Sequence, residues 1–128
     1  MPTNILIADD YDDNRELVRL LLESSGHATS EARDGRECVA LACRETPDLV
    51  LLDLSMPVLD GWETLRELRA DERTHHIPCV ALTGFDGDYA RQSALQAGFN
   101  GYLTKPFRAA DLHELIERLL VTDSSTKV

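Results

Sequence analysis

The chain has 128 residues, a length that fits one domain, and its formal net charge at pH 7 is −10. This acidic balance argues against binding nucleic acid through its phosphates or binding an anionic membrane surface, because both need clustered lysine and arginine. No apolar run approaches the roughly 20 residues of a membrane-spanning helix, and the first residues lack the features of a signal peptide. We therefore expect a cytoplasmic protein that does not insert into membranes.

Helix-like and strand-like segments alternate along the whole chain. Apolar runs bounded by polar residues predict strands, and stretches with one apolar face or an acidic capping pair predict helices. In chain order we predict a strand over 4–8, a helix over 16–25, a strand over 28–32, a helix with the capping pair Asp34–Glu37 that runs to about Arg44, a strand over 48–52, a helix with the capping pair Asp60–Glu63, a strand over 79–82, a helix over 89–97, a strand over 101–103, and a last helix with Leu112, Leu115, Ile116, Leu119 and Leu120 on its apolar face.

Five βα units in succession favour one parallel sheet with helices on both faces, because right-handed crossovers place the helices there. Residues 1–121 are expected to form a single domain, followed by a short polar tail at 122–128.

The first predicted helix has an apolar face made of Leu17, Val18, Leu21 and Leu22.

Charged residues stand at the ends of three predicted strands. Asp9 and Asp10 directly follow the apolar run of the first strand. Asp53 follows the run of the third strand, and Lys105 follows the run of the last strand. If these strands are parallel in one sheet, three acids and one base meet at the same edge, where open α/β sheets bind their ligands. Oxygen ligands suit a hard divalent cation. The pattern therefore points to a site for such a cation together with a phosphoryl group.

The cysteine and histidine residues show no pattern of a metal site. Cys38, Cys43 and Cys79 are an odd set without metal-type spacing, and we expect them to be small buried hydrophobic residues in a reducing compartment. His75 and His76 lie in a polar stretch without a further candidate ligand, so we expect them in a solvated loop.

Several stretches of the chain, taken together, resemble the receiver domain of two-component response regulators, such as the chemotaxis regulators. The ordered set is highly specific, although no single piece decides, and the resemblance runs from about residue 4 to residue 120. It implies a flavodoxin-like α/β fold, a (βα)5 doubly wound sheet of five parallel strands in the order 2-1-3-4-5 with helices on both faces. The matching stretches are Leu6–Asp10, Leu51–Pro57, Asp60–Gly61, Val80–Gly84, and Ala97–Gly98 through Gly101–Phe107.

By this resemblance, Asp53 is the residue that becomes phosphorylated. Its carboxylate attacks a phosphoryl group and forms an acyl phosphate, and cations must offset the negative charge of the transition state. Asp9, Asp10, Asp53 and the main-chain carbonyl of Ser55 are the implied holders of Mg²⁺, with Mn²⁺ as an alternative ion and Asp9 acting mainly through water. The alternative that Asp9 and Asp10 only cap the next helix leaves a surplus of acids unexplained.

Further implied roles complete the site. Lys105 supplies a mobile positive charge to the phosphoryl oxygens, and in the family the peptide bond before Pro106 is cis, which aims this lysine into the pocket. Thr83 matches the switch hydroxyl, which donates a hydrogen bond to the phosphoryl group. Tyr102 matches the aromatic switch residue that moves inward with the threonine. The implied catalytic set is thus Asp53, Thr83 and Lys105.

Three positions depart from the family's pattern. Gly84 stands where the family often has alanine, which preserves access to the site but makes the loop more flexible. Phe85 occupies a rim position that is often polar or variable, where its bulk would shield the acyl phosphate from water. Arg108 stands where a better helix cap is expected, so the start of the last helix is left open.

The resemblance implies a single-domain phosphoacceptor in a phosphorelay. A histidine kinase or histidine phosphotransfer protein donates the phosphoryl group, and phosphorylation changes a surface that contacts a downstream protein target. We expect only slow self-phosphorylation and self-dephosphorylation, no enzymatic turnover and no direct contact with nucleic acid; a homodimer formed on phosphorylation stays open.

Three alternatives are kept. In the first, the chain is a receiver domain cut from a larger hybrid kinase or regulator. In the second, it is a phosphatase-like enzyme with an aspartyl intermediate. In the third, it is an interaction module that never receives phosphate. Haloacid-dehalogenase-like phosphatases usually carry a general acid where this chain has Ser55, a poor proton donor, which disfavours the enzyme. The intact set of acids together with Thr83 and Lys105 disfavours the pure interaction module.

Overall fold

The computed structural model of the protein describes residues 3–84 and 87–125, with the backbone alone for 121–125. Strands and helices alternate along these residues, in the predicted order. Their bounds are β1 Asn4–Ala8, α1 Asp12–Ser24, β2 Ala28–Ala32, α2 Gly35–Glu45, β3 Leu49–Asp53, α3 Gly61–Ala70, β4 Cys79–Thr83, α4 Asp88–Ala97, β5 Gly101–Thr104 and α5 Ala109–Ser125.

The strands form one sheet of five, all parallel, in the order β2-β1-β3-β4-β5. This order confirms the doubly wound flavodoxin-like fold. The chain winds from β1 to β2 on one side and then crosses back to β3 on the other, so the switch point lies between β1 and β3, where such sheets form their ligand crevice. Ala8 pairs with Leu52 across these two strands. The residues that follow them, Asp9 and Asp53, therefore come side by side at the carboxyl edge.

Each face of the sheet carries its own hydrophobic core, because successive strand side chains point to opposite faces. In β1, Leu6 and Ala8 pack into the cluster beneath α2, α3 and α4, whereas Ile5 and Ile7 pack into the cluster beneath α1 and α5. Every residue of β3 and β4 is buried, as expected for parallel strands covered on both faces. Within the described residues, every helix is too short or too polar to cross a membrane.

Helix α1 differs from its prediction in two ways. It begins one turn earlier than predicted, in the acidic stretch after Asp10. Its buried residues are Arg15, Val18 and Leu22, whereas Leu17 is 57% exposed. The placement of Leu17 on the apolar face was therefore wrong. The buried face begins with Arg15 and continues with Val18 and Leu22, so Leu17 lies beside it. The prediction missed this because it was based on apolar residues and did not consider a buried arginine.

The capping residues of α2 and α3 act as predicted in part. Asp60 accepts a hydrogen bond from the Glu63 N–H at 2.9 Å, and the Glu63 carboxylate accepts one from the Asp60 N–H at 3.1 Å, so α3 has a complete capping box. At α2, Asp34 accepts from the Glu37 N–H at 2.8 Å. The Glu37 carboxylate, however, accepts from the Arg33 N–H at 2.9 Å, so this box is not reciprocal.

The last helix begins at Ala109, directly after Arg108. The Asp111 carboxylate accepts from the Arg108 N–H at 3.4 Å and lies 3.3 Å from the guanidinium Nε. Hydrogen bonds from Arg108 hold the pKa of Asp111 below its ordinary value. Asp111 thus satisfies the N–H of Arg108, which is the return half of a capping box, whereas arginine has no acceptor that could cap the first N–H groups of the helix. The helix continues to Ser125, into the segment predicted as a polar tail.

The cysteines are free thiols inside the fold. Cys38 and Cys79 are buried, and Cys43 is partly buried. Burial raises the pKa of the Cys79 thiol to about 11, so this group stays protonated at neutral pH. His75 and His76 are exposed in the turn before β4, as predicted.

Arg69 joins three segments at the amino edge of the sheet, opposite the acids. Its Nη1 atom donates to the carbonyls of Ile77 at 2.8 Å and His75 at 3.1 Å. Its Nη2 atom donates to the Gly98 carbonyl and to Asn100 Oδ1, both at 2.9 Å. These bonds tie the end of α3 to the turn before β4 and to the end of α4.

We expect the substitution Arg69→Met to lower the free energy of unfolding by about 2 kcal/mol, because it leaves partly buried carbonyls without their charged donor. Arg66→Met is the matched control, since Arg66 is an exposed arginine on the same helix. Urea unfolding of both variants measures the difference. Equal stability of the two variants would show that the bonds of Arg69 contribute nothing net.

Candidate functional site

The predicted acids and Lys105 converge at the carboxyl edge of the sheet. Lys105 Nζ lies 3.0 Å from Asp9 Oδ2 and 2.7 Å from Asp53 Oδ2, although Asp9 and Lys105 are 96 positions apart in the chain. One carboxylate oxygen from each of Asp9, Asp10 and Asp53 lies within 4.8 Å of the other two. The fold thus brings together all four charged residues that stand at the strand ends.

The two inner carboxylates are buried and fully engaged. Asp9 is 2% exposed and Asp53 is 6% exposed, whereas Asp10 is exposed. Asp9 Oδ1 accepts from the Tyr11 N–H at 2.9 Å, and Asp53 Oδ1 accepts from the Ser55 N–H at 2.8 Å. Each buried carboxylate is therefore oriented by one backbone donor and by the shared ammonium of Lys105.

Burial and crowding shift the pKa values at the centre of the site. Burial raises the pKa of Asp53 above its ordinary value and outweighs the hydrogen bonds from Lys105 and Ser55, and the nearby Asp9 charge adds to the rise. Burial alone would lower the pKa of Lys105, but its hydrogen bonds to Asp53 and Asp9 outweigh it and raise this pKa. Both pKa shifts follow from the same geometry. The Lys105 ammonium is stabilised by two carboxylates, whereas the Asp53 carboxylate shares this one cation with Asp9, whose negative charge repels it.

The donor set fits Mg²⁺. The acidic cluster offers carboxylate oxygens, which are the hard ligands that this ion prefers, and the exposed Asp10 gives the cluster a side open to the water ligands that Mg²⁺ keeps. Among the described side chains, Lys105 is the only cation within salt-bridge distance of these three carboxylates, so three negative charges face one positive charge there. A divalent cation would offset the excess, which gives the site an electrostatic reason to bind one.

A cavity of about 570 Å³ adjoins the site. Ser55, Thr83, Trp62 and Tyr102 all line it, so the two predicted switch residues share one space. Thr83 is buried at the end of β4, and Tyr102 is partly buried against the core beneath α2, α3 and α4. Trp62 packs edge-to-face on Phe99 with ring centroids 5.7 Å apart. The indole therefore packs on Phe99 and lines the same cavity as Thr83.

The loop after β5 carries Lys105 into the site. The Lys105–Pro106 peptide bond is cis, and the Lys105 N–H donates to the Thr83 carbonyl at 2.7 Å. Gly84, at the departure from the family's pattern, is exposed. Phe85, for which we predicted a shielding role, lies outside the described residues.

Arg15 is a residue at the site that the sequence analysis did not identify. Its buried guanidinium donates to the Asp9 carbonyl at 2.7 Å, pairs with Glu31 at 3.3 Å and also pairs with Asp12. A signal was available, because an acid stands three positions before this arginine, at the spacing of a helix pair.

Comparisons with known proteins agree with this geometry. A model of the response regulator receiver domain family matches residues 5–117. The chain is 40% identical to the response regulator PleD of Caulobacter vibrioides over 106 residues, which are 83% of this chain and 23% of PleD. It is 34% identical to the polar-differentiation response regulator DivK of Brucella anthropi over 120 residues, which are 94% of this chain and 98% of DivK.

A solved structure gives the same result. The receiver domain of the sensor histidine kinase PA1611 from Pseudomonas aeruginosa, which holds a magnesium ion in its active site cleft, is 36% identical to this chain. The TM-score is 0.86, with 94% of this chain and 98% of that chain covered. The family model matches most of this chain, and the five parallel strands have the order that the family implies. This chain therefore belongs to the response regulator receiver domains.

Proposed function

We propose that this receiver domain accepts a phosphoryl group on Asp53 from a histidine kinase or histidine phosphotransfer protein, in a reaction that needs Mg²⁺. The observation that carries the proposal is the convergence of Lys105 with the three acids at one edge of the sheet. A buried carboxylate with a raised pKa, next to one mobile cation and further metal-type ligands, is suited to attack an anionic phosphoryl group once the charge is offset.

Each residue of the site has a separate role in the proposed phosphoryl transfer. Asp53 attacks the phosphorus atom, a new O–P bond forms, and the P–N bond to the donor histidine breaks with its electron pair going to the ring. The Ser55 N–H holds Oδ1 of Asp53 in place, while Lys105 moves from the carboxylate to the phosphoryl oxygens. Asp9, Asp10, Asp53 and the Ser55 carbonyl would hold Mg²⁺, which supplies positive charge against the developing negative charge.

The same site suggests how phosphorylation changes the surface. The phosphoryl group adds nearly two negative charges, and the Thr83 hydroxyl would turn to donate a hydrogen bond to it. The cavity that Thr83 and Tyr102 share supports a role for Tyr102 as the second switch residue, because movement of one opens space for the other. Phosphorylation would then favour one of two packings that already exist.

We also propose that the domain comprises residues 1–121, acts in the cytoplasm as a phosphoacceptor without enzymatic turnover, and signals to a protein target without contacting nucleic acid directly. The match to nearly all of DivK supports a receiver that acts by itself. The match to 23% of PleD supports the alternative that such a domain works within a larger protein.

Phosphoramidate, which carries the P–N bond of phosphohistidine, tests the proposal. We expect the chain to gain the mass of one phosphoryl group in the presence of Mg²⁺ and none in the presence of a chelator. Addition of Mg²⁺ should also change the fluorescence of Trp62. Repeated turnover of a small phosphoester would favour a phosphatase instead, and the absence of both labelling and fluorescence change would favour an interaction module.

A further inference from the structure

Arg15 is a buried cation with no part in the phosphoryl transfer proposed above. Its side chain is 9% exposed. A buried charge needs partners that satisfy its hydrogen bonds. Three nitrogens of the guanidinium each take a different partner: Nη1 the Asp9 carbonyl, Nη2 the Asp12 carboxylate and Nε the Glu31 carboxylate.

These contacts fix the main chain of Asp9 from both sides. The Asp9 N–H donates to the Ala32 carbonyl at 3.1 Å, and the Asp9 carbonyl accepts from Arg15 Nη1 at 2.7 Å. Arg15 is itself held by Glu31, which pairs in β2 with Ile7 of β1. The loop between β1 and α1 is therefore tied to the neighbouring strand through one side chain.

We propose that Arg15 is a positioning residue that holds the Asp9–Asp10 main chain, so that both carboxylates stay within reach of Asp53 and Lys105. This inference rests on the proposed function, since it concerns the same metal-binding acids. The rigid planar fork of the guanidinium is essential to it, because a lysine ammonium at the same position carries the charge but does not present three donors in fixed directions.

The variant Arg15→Lys keeps the positive charge at this position but removes the planar set of guanidinium donors. We expect it to weaken the binding of Mg²⁺ or Mn²⁺ by about tenfold to a hundredfold, the range typical of residues that orient metal ligands. Metal titration followed by Trp62 fluorescence measures this affinity. Arg19→Lys is the matched control, because Arg19 lies one turn further along α1 and pairs with Glu31 at 3.6 Å. This control should leave the metal affinity unchanged.

A readout that needs no metal accompanies the titration. The Tyr11 N–H donates to Asp9 Oδ1 at 2.9 Å, and we expect its hydrogen exchange in Arg15→Lys to be faster than in the unmodified chain. Exchange at Ala94, a buried residue of the distant helix α4, should stay unchanged. The pair of amides distinguishes local loosening of the loop from a general loss of stability.

The outcomes separate this inference from the proposed function. Failure of the unmodified chain to bind Mg²⁺ or Mn²⁺ would overturn both. Tight binding by the unmodified chain and equally tight binding by Arg15→Lys would overturn the positioning role alone, as would a loss of stability without a loss of affinity. If Arg15→Lys fails to fold, Glu31→Gln carries the same test, because it removes the negative charge that anchors the guanidinium on β2 and should weaken metal binding in the same direction.

Discussion

Asp53→Asn is expected to abolish phosphorylation of the chain and, in the absence of metal, to raise its thermal stability by a few degrees. The amide oxygen is a poor nucleophile, and no other carboxylate holds both the backbone donor Ser55 and the ammonium of Lys105 among the described residues. Stability rises because the substitution removes a charge that burial disfavours, while Lys105 keeps its contact with Asp9 at 3.0 Å.

The stabilisation should depend on pH with a defined sign. The pKa of Asp53 in the folded state lies above its ordinary value of 3.8. The folded state therefore binds this proton more tightly than the unfolded state, and the stability that the proton contributes is lost as the pH rises from the ordinary pKa through the raised one. Melting curves with a chelator should show little difference between Asp53→Asn and the unmodified chain below this window and the full difference at neutral pH.

Asp13→Asn serves as the control, because Asp13 is an exposed acid in the first turn of α1. It should keep phosphorylation and gain no stability. Mg²⁺ should reduce or reverse the advantage of Asp53→Asn, since the unmodified chain then gains the free energy of binding the ion. Undiminished labelling of Asp53→Asn would refute Asp53 as the phosphoacceptor.

Gly61→Ala is expected to lower the free energy of unfolding by roughly 3 kcal/mol or more, the range of severe overpacking against rigid groups. A Cβ atom at this position would lie 2.6 Å from the Leu54 Cα and 2.7 Å from the Asp53 carbonyl oxygen, both main-chain atoms. The Gly61 N–H also donates to the Leu54 carbonyl at 3.0 Å. The first residue of α3 thus rests directly on the chain that carries the phosphoacceptor.

Because the clash falls beside Asp53, Gly61→Ala should also weaken metal binding in the fraction that folds. Gly84→Ala is the matched control: a Cβ atom there would meet nothing within 4 Å among the residues that the structure describes, and Gly84 is exposed. Urea unfolding and a Mg²⁺ titration of both variants measure the two effects. Equal stability of Gly61→Ala and Gly84→Ala would contradict the close approach of α3 to β3.

The acids of the site could be predicted because their position follows from the strands. An apolar run that ends in aspartate predicts a buried strand with a carboxylate at its carboxyl end, and in a parallel sheet these ends coincide. The pattern therefore predicts that Asp9, Asp53 and Lys105 lie together, as the structure shows. The strand order came from the resemblance to a family, since the alternation of elements alone does not fix it.

The residues that support the acids could not be predicted in the same way. Arg15 is buried because Glu31 and the Asp9 carbonyl receive its donors, and Gly61 must lack a side chain because the main chain at Leu54 lies against it. Both reasons involve tertiary neighbours, which apolar periodicity does not report. The error at Leu17 has the same origin, because the pattern assigned the buried face without counting the arginine.

Chemical trapping of the phosphorylated residue tests the central claim most directly. Borohydride reduces an aspartyl phosphate to homoserine, and mass spectrometry of the digested chain then locates the change. After phosphorylation with phosphoramidate and Mg²⁺, we predict homoserine at position 53 and unmodified aspartate at positions 9 and 10. Homoserine at position 9 or 10, or a stable phosphoryl group that resists reduction, would contradict the assignment of Asp53 as the nucleophile within this metal-binding site.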